Sequence, residues 1–234
     1  MKKIAMFDLD GTLLPFLQEE FIKLYFGGLC RKLAPLGYES ESLVKVVWKG
    51  TAAMIKNDGS RKNSDAFWDT FHSAFPELPD AKDLCDDFYT KEFDKVKACL
   101  KKSYNHKPMI ERLKKAGYDV VLATNPIFPR TAQLTRMGWV GLSEGDFSYI
   151  TDYDNSSYCK PNPDYFRAVL EVIGADASDC VMVGNSVEED ILSAKSLGLE
   201  SFLVTDYVEN PNNADITQFR GGSIEDAERF LLER

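Results

Sequence analysis

The stretch IAMFDLDGTLLP, residues 4–15, places two aspartates directly after a short apolar run. Ile4–Phe7 is apolar throughout and bounded by polar residues, which is typical of a parallel strand buried on both faces. Asp8 and Asp10 therefore follow the end of a buried strand, where an unpaired charge is costly to bury. This position predicts partners of opposite charge, or a cation, from other parts of the chain.

Further apolar runs of the same kind follow, and helical patterns lie around them. The runs are Asp119–Ala123, Cys180–Val183 and Ser201–Val204. The helical patterns are Pro108–Ala116, Pro163–Ile173, Val187–Leu197 and Ile224–Leu232. The alternation of strands and helices predicts an α/β fold with a doubly wound parallel sheet.

Residues 16–103 break this alternation, because they contain helical patterns and no strand pattern. The patterns are Phe16–Leu33, Ser42–Ile55, Asp65–Phe75 and Ala81–Leu100. We therefore predict an α/β catalytic core formed by residues 1–15 and 104–234, with an inserted α-helical cap domain at 16–103. Aromatic residues at helical spacing, Phe67, Trp68, Phe71 and Phe75, are predicted to form the core of this helical bundle.

Composition narrows the classes of partner. The formal net charge of −9 over 234 residues disfavours nucleic acid, because a phosphate backbone attracts basic surfaces. No apolar run reaches the length of a membrane span. Five scattered cysteines without a CxxC pair predict free thiols and a cytoplasmic location.

Polar side chains follow the predicted strands and precede one helix. They are Asp8, Asp10, Thr124, Asn125, Lys160, Asn185, Glu188, Glu189 and Asp190. Because the carboxyl ends of parallel strands meet at one edge of a sheet, these side chains are expected to share a cleft. Oxygen ligands favour Mg²⁺ over Zn²⁺, and neither His72 nor His106 lies in these loops.

The order of these motifs resembles the haloacid dehalogenase (HAD) superfamily of phosphatases. The motifs are D-L-D-G-T at residues 8–12, a strand ending at Thr124, C-K-P-N-P-D at 159–164 and V-G-N-S-V-E-E-D-I at 183–191. The resemblance covers nearly the whole chain. It implies a Rossmann-like core, and the helical insert stands where the first type of cap in that superfamily is found.

The resemblance also implies roles for single residues. Asp8 would be the nucleophile and form an aspartyl phosphate, and Asp10 would act as general acid and base. Thr124 and Lys160 would complete the catalytic set. The phosphate-binding residues would be Gly11, Thr124, Asn125 and Lys160, and the Mg²⁺ ligands would be Asp8, Asp10 through its backbone carbonyl, Asn185 and Asp190.

One position departs from the superfamily pattern. Where Gly-Asp-Ser is usual, this chain has Gly184-Asn185-Ser186. An amide oxygen can bind Mg²⁺, but it brings no negative charge. The departure predicts weaker binding of Mg²⁺, with Glu189 or Asp190 available to take a larger share of the coordination.

The favoured function is a Mg²⁺-dependent phosphatase acting on a small phosphorylated metabolite. A phosphomutase that uses the same intermediate, or a catalytically weak phosphatase-fold binding protein, remains an alternative. Asp10 argues against a dehalogenase, and the chain length and helical insert argue against a phospho-receiver module. Cations on the insert, such as Lys45, Arg61 and Lys62, fit either a charged substrate group or a solvated helix face, and the oligomeric state stays open.

Overall fold

A computed structural model describes residues 2–16 and 18–234 of the chain. Met1 and Leu17, which fall inside the predicted core and the first predicted helix, lie outside the described residues. The strands are β1 (Lys3–Phe7), β2 (Tyr118–Leu122), β3 (Tyr149–Ile150), β4 (Cys180–Gly184), β5 (Glu200–Val204) and β6 (Gly221–Gly222). They form one parallel sheet in the order β3-β2-β1-β4-β5-β6. The predicted α/β fold with a parallel sheet is confirmed.

The segment between β1 and β2 is helical throughout its described elements. Its first four α-helices are α1 (Gln18–Leu33), α2 (Ser40–Ile55), α3 (Asn63–Ala74) and α4 (Lys82–Lys91), followed by a 3₁₀ segment at Phe93–Cys99. The predicted single helix over Ala81–Leu100 is wrong. In a 3₁₀ helix every third residue lies on one face, and this geometry buries Phe93, Val96 and Cys99 together.

The remaining α-helices follow the 3₁₀ segment along the chain. They are α5 (Lys107–Lys115), α6 (Arg130–Trp139), α7 (Pro163–Ile173), α8 (Ser193–Ser196) and α9 (Ile224–Glu233). The predicted helix over Val187–Leu197 is divided, because Val187–Leu192 forms a π-helical turn before α8. The carbonyl of Ser186 accepts from the N–H groups of Asp190 at 3.0 Å and Ile191 at 3.2 Å, which widens this turn.

The sheet is covered on both faces. Ala5 and Phe7 of β1 belong to a large apolar cluster that also contains Phe21 of α1 and Phe71 of α3. Ile4 and Met6 point to the other face, in a second cluster that includes Phe166 of α7. One apolar cluster therefore contains residues of the sheet and the core of the helical segment. The division into a core and a cap domain stays a prediction.

None of the helices in the described part of the chain combines the length and apolarity that crossing a membrane requires.

Candidate active site

The site lies where the strand order changes direction. β1 contacts β2 on one side and β4 on the other, and a cleft opens at the carboxyl ends of the strands at such a point. The N–H of Asp8 donates to the carbonyl of Val183 at 2.9 Å, so the residues that follow β1 and β4 lie side by side. The hydroxyl of Thr12 lies 3.0 Å from Asn185 Oδ1 and 3.4 Å from Asp8 Oδ2, which brings both side chains to one point.

A buried ammonium joins two buried carboxylates. Lys160 Nζ lies 2.8 Å from Asp8 Oδ1 and 2.5 Å from Asp190 Oδ1, and Lys160 is 1% exposed. Burial alone would lower the pKa of Lys160, but the carboxylates of Asp190 and Asp8 outweigh it and hold that pKa well above its ordinary value. Lys160 is therefore a fixed positive charge next to Asp8.

Contacts around the backbone hold Lys160 in place. Its N–H donates to Asn125 Oδ1 at 3.2 Å, and Asn125 Nδ2 donates to its carbonyl at 3.3 Å. The carbonyl of Thr124 accepts from the hydroxyls of Thr151 at 2.7 Å and Tyr165 at 2.9 Å. Asn125 Nδ2 also donates to Glu189 Oε2 at 2.9 Å. The side chain of Asn125 therefore links the Lys160 backbone to Glu189. The predicted phosphate contact of Asn125 stays a prediction.

Asp10 has a different partner from Asp8. Asp10 Oδ2 accepts a hydrogen bond from Nη1 of Arg136. Arg136 is fully buried, and it also donates to Gln133 Oε1. Its guanidinium lies 4.4 Å from the centre of the Phe128 ring. Asp10 Oδ1 has no hydrogen-bond partner among the described residues. Removal from bulk water raises the pKa of Asp10, Arg136 opposes this rise, and Asp8 adds to it. Asp10 therefore has one anchored oxygen and one that is available for a proton.

The loop after β1 is shaped by Gly11. Its φ of +80° lies in the left-handed region that favours glycine, and a Cβ there would lie 2.2 Å from Asn185 Nδ2. The same Nδ2 donates to the carbonyl of Tyr207 at 2.7 Å. Gly11 thus allows the amide of Asn185 to pack against the backbone of the Asp10 loop.

The donor set fits a hard divalent cation. Asp8 Oδ2 and Asn185 Oδ1 converge on the hydroxyl of Thr12, and both are oxygen ligands. Asp190 is held back from them, because its Oδ1 binds Lys160 and its Oδ2 accepts from the N–H of Ser186 at 3.0 Å. Within residues 2–16 and 18–234, no three Asp, Glu, His or Cys side chains are grouped as a metal site. Backbone oxygens, water and substrate would have to complete the coordination.

A sequence model of the haloacid dehalogenase-like hydrolases matches residues 2–198, which is most of the chain. The chain belongs to this family. The resemblance that the motifs carried is therefore confirmed, and the chain is a HAD-family hydrolase with phosphatase relatives.

Two such relatives align over most of this HAD hydrolase. A ribulose-1,5-bisphosphate 5-phosphatase from Halopiger xanaduensis is 26% identical over 211 residues, covering 87% of this chain and 84% of the relative. A phosphoglycolate phosphatase from Agrobacterium fabrum is 27% identical over 209 residues, covering 88% and 81%. The crystal structure of a HAD phosphatase from Thermococcus onnurineus has a TM-score of 0.58 at 22% identity and covers 98% and 97%, so it supports the fold alone.

Sequence reasoning missed two side chains of the HAD site. Arg136 lies on α6, which was not predicted as a helix, and reaches Asp10 from there. Glu209 lies in a loop without a motif, and its N–H donates to the carbonyl of Asn185 at 2.9 Å. Burial raises the pKa of Glu209, and Asp8 and Asp190 raise it further. The positive charge on Arg136 was the one available signal, since a cation was expected near the two aspartates.

Glu189 gives the site a measurable pH dependence. Burial raises its pKa to about 7, Lys160 opposes the rise, and Asp8 adds to it. The folded state therefore keeps a proton that the unfolded state has lost between the ordinary pKa and about 7, so stability falls as pH rises through this window. In the presence of EDTA, Glu189→Gln is expected to raise the free energy of unfolding by about 1–3 kcal/mol at about pH 8.

Urea unfolding of both proteins measures this difference. At about pH 4, where both states of Glu189 are protonated, the two proteins should unfold alike. Glu188→Gln, one residue away on the same turn, is the matched control. If the free energy of unfolding rises equally at both pH values, or rises equally in Glu188→Gln, the raised pKa of Glu189 does not explain the effect.

Proposed function

We propose that this HAD hydrolase is a Mg²⁺-dependent phosphatase that acts in the cytoplasm on a small phosphorylated metabolite, through an aspartyl phosphate on Asp8. The observation that carries the proposal is the contrast between the two aspartates. Asp8 contacts a fixed ammonium, whereas Asp10 presents an oxygen without a hydrogen-bond partner among the described residues and has a raised pKa. A nucleophile and a proton donor need these two opposite environments.

The hydrogen bonds of the two aspartates support a division of the proposed reaction into two steps. Lys160 binds Asp8 Oδ1 and orients the carboxylate, one oxygen of which attacks phosphorus. As the new bond from Asp8 to phosphorus forms, the bond from phosphorus to the leaving oxygen breaks, and Asp10 Oδ1 gives its proton to that oxygen. In the second step Asp10 takes a proton from water, the water oxygen attacks phosphorus, and the bond to Asp8 breaks with release of phosphate.

Buried cations of the chain support both steps. Lys160 offsets the negative charge that develops on the phosphoryl oxygens, and Arg136 keeps Asp10 oriented through its Oδ2. In this proposal Mg²⁺ would be held by Asp8, Asn185 and the backbone carbonyl of Asp10, with Asp190 acting through Lys160 or water. A bound Mg²⁺ would screen the phosphate charge from the carboxylates.

The proposal is tested by measuring phosphate release. With p-nitrophenyl phosphate, activity is expected in Mg²⁺ and is expected to disappear in EDTA. Free inorganic phosphate as the product supports the phosphatase, whereas transfer of the phosphoryl group to a second hydroxyl of the substrate would indicate a mutase. Inactivity on every phosphoester at all Mg²⁺ concentrations would contradict an enzyme and favour a binding protein.

Asn185 makes a separate prediction about the metal. Asn185→Asp adds a negative charge beside Asp8, and the half-saturating Mg²⁺ concentration for activity is expected to fall by about tenfold. Without metal the new carboxylate faces the carbonyl of Tyr207, so the melting temperature should fall, and Mg²⁺ should raise it by more than in the wild type.

Asn105→Asp is the matched control for this variant, because it adds the same charge at an exposed position. Its side-chain oxygen accepts from the N–H of Lys107 at 3.1 Å, a contact that aspartate preserves. If Asn185→Asp leaves both the Mg²⁺ titration and the Mg²⁺-dependent melting shift unchanged, Asn185 is not a ligand.

A further inference from the structure

A cavity of about 340 Å³ adjoins the catalytic loop. Asp10, Gly11 and Asn185 line it, and further lining residues come from α1, α2, α3 and α4 of the helical segment, from the loop after β2 and from residues 207–209. Its volume is in the range of small-molecule sites. Since Asp10 is the proposed proton donor to the leaving oxygen, the cavity lies where the leaving group of a substrate must lie.

The walls of the cavity are largely aromatic. Nearly half of the described residues that line it are Phe, Tyr or Trp. The rings of Phe21 on α1 and Phe128 after β2 meet edge to face at 6.1 Å, so the aromatic wall runs from the helical segment to the sheet. Trp68 and Phe71 continue it on α3. Aromatic side chains favour apolar and ring-containing ligands, which they contact edge to face or by stacking.

The charges of the cavity have one sign. Among the described residues that line it, Asp10 and Glu209 are charged, and Lys, Arg and His do not occur. Arg136 lies close by, but it is fully buried and binds Asp10 and Gln133. A carboxylate or a second phosphate on the leaving group would therefore be desolvated here without a cationic partner.

Three cations of the helical segment have partners outside the cavity. Lys45 Nζ lies 2.5 Å from Glu41 Oε1 with 72% of its side chain exposed, and Arg61 Nη1 lies 2.6 Å from Asp69 Oδ2. Lys62 donates to the carbonyl of Asn155 at 3.0 Å. These contacts agree with a solvated surface and do not supply the cavity with positive charge.

We propose that the substrate is a phosphomonoester of an uncharged, largely apolar alcohol whose ring or chain fills this cavity. The assignment rests on the proposed phosphatase function and adds the chemical class of the leaving group. The phosphoryl group binds at Asp8 and Lys160, and the apolar part extends between α1 and α3. Glycolate, sugar phosphates and pyrophosphate lack this apolar part.

Three primary alkyl esters of similar intrinsic reactivity test the proposal by turnover. We expect kcat/KM for 2-phenylethyl phosphate to exceed that for ethyl phosphate and for phosphoglycolate by at least about 30-fold, since a buried phenyl ring removes a large apolar area from water. Equal values, or a preference for phosphoglycolate, would overturn the assignment of the cavity while leaving the phosphatase function intact.

A binding measurement separates the two proposals. Phosphonates cannot be hydrolysed, and Trp48 and Trp68 line the cavity, so tryptophan fluorescence can follow their binding. We expect 3-phenylpropylphosphonate to bind at least about tenfold more tightly than 2-carboxyethylphosphonate in the presence of Mg²⁺. If this preference is found and no ester is hydrolysed, the cavity assignment stands and the phosphatase function fails. If neither phosphonate is preferred, the cavity assignment fails.

A cation placed in the wall should reverse the selectivity. Thr51 lines the cavity on α2, and its hydroxyl donates to the backbone carbonyl of Val47 at 3.0 Å. Replacing Thr51 removes this local hydrogen bond but leaves no other side chain without its partner. Thr51→Arg is expected to lower the ratio of kcat/KM for 2-phenylethyl phosphate to that for phosphoglycolate by at least about tenfold. Melting curves verify that the variant is folded.

Thr90→Arg is the matched control. Thr90 is exposed on α4 and makes the same kind of bond to the carbonyl of Asp86 at 2.7 Å, but it does not line the cavity. Its selectivity should equal that of the wild type. A ratio that falls equally in both variants would overturn the assignment of the cavity, because the change would then follow net charge.

Discussion

Asp8→Asn is expected to lower kcat/KM for phosphate release by at least about 10⁴-fold, because an amide cannot form the acyl phosphate and no other carboxylate can take its place. Asp190 is fully buried against Lys160, and Asp10 is anchored by Arg136. The substitution keeps the shape of the side chain and its acceptor for Lys160. The loss should therefore appear in activity, with the melting temperature changing little.

A second measurement identifies the covalent step itself. Acid quenching of a reaction in progress, followed by mass spectrometry of peptides, should find one phosphoryl group on the peptide that contains Asp8. Asp119→Asn, the same exchange at an exposed position of β2, is the control and should keep wild-type activity. Turnover by Asp8→Asn within about tenfold of the wild type would refute Asp8 as the nucleophile.

Lys160→Met should have the largest effect on stability. Lys160 is 1% exposed between two carboxylates, and its removal leaves Asp8 and Asp190 facing each other in a buried site. Breaking a buried ion pair by removing one partner costs about 3–5 kcal/mol. We expect a loss of this size in the free energy of unfolding at about pH 8 in EDTA, measured with urea, together with the loss of activity.

The pH dependence distinguishes this effect from lost packing. At about pH 4 part of the carboxylate repulsion is relieved by protonation, so the difference between Lys160→Met and the wild type should shrink. Lys49→Met, on the exposed face of α2, is the control and should change stability by less than about 0.5 kcal/mol. A pH-independent loss would mean that Lys160 stabilises the fold through its aliphatic stem alone.

The strands that sequence could predict are those whose residues are buried on both faces. β1, β2, β4 and β5 are apolar runs, and each begins and ends within one residue of its predicted bounds. β3 and β6 have two residues each, and β6 is Gly221–Gly222, which carries no strand propensity of its own. β3 and β6 are strands because they pair with a neighbouring strand at the edge of the sheet, so their own sequence does not predict them.

The residues of the candidate site also fall into two groups, those that sequence motifs predict and those that they do not. Asp8, Lys160 and Asn185 lie in contiguous motifs at predicted strand and helix ends, and the structure brings them together. Arg136 and Glu209 join the site only through tertiary packing of an unpredicted helix and a loop. The aromatic residues of α3 were predicted as core. Phe71 is 1% exposed and belongs to the apolar cluster, and it also lines the cavity. Helical spacing predicts the burial of Phe71 but not its contact with a cavity.

The place of β1 in the sheet has a consequence for how the chain acquires its site. β1 is synthesised before its partner strands, and it pairs Lys3 with Tyr118 on one side and Ile4 with Cys180 on the other. Such distant partners make closure of the central strand slow relative to local helix formation. The helical segment can condense while β1 still has no neighbours, and Asp8 meets Asn185 only after β4 has been made. The proposed nucleophile is thus translated before its partners and assembled late, so a chain that ends before β4 carries the motif without the site.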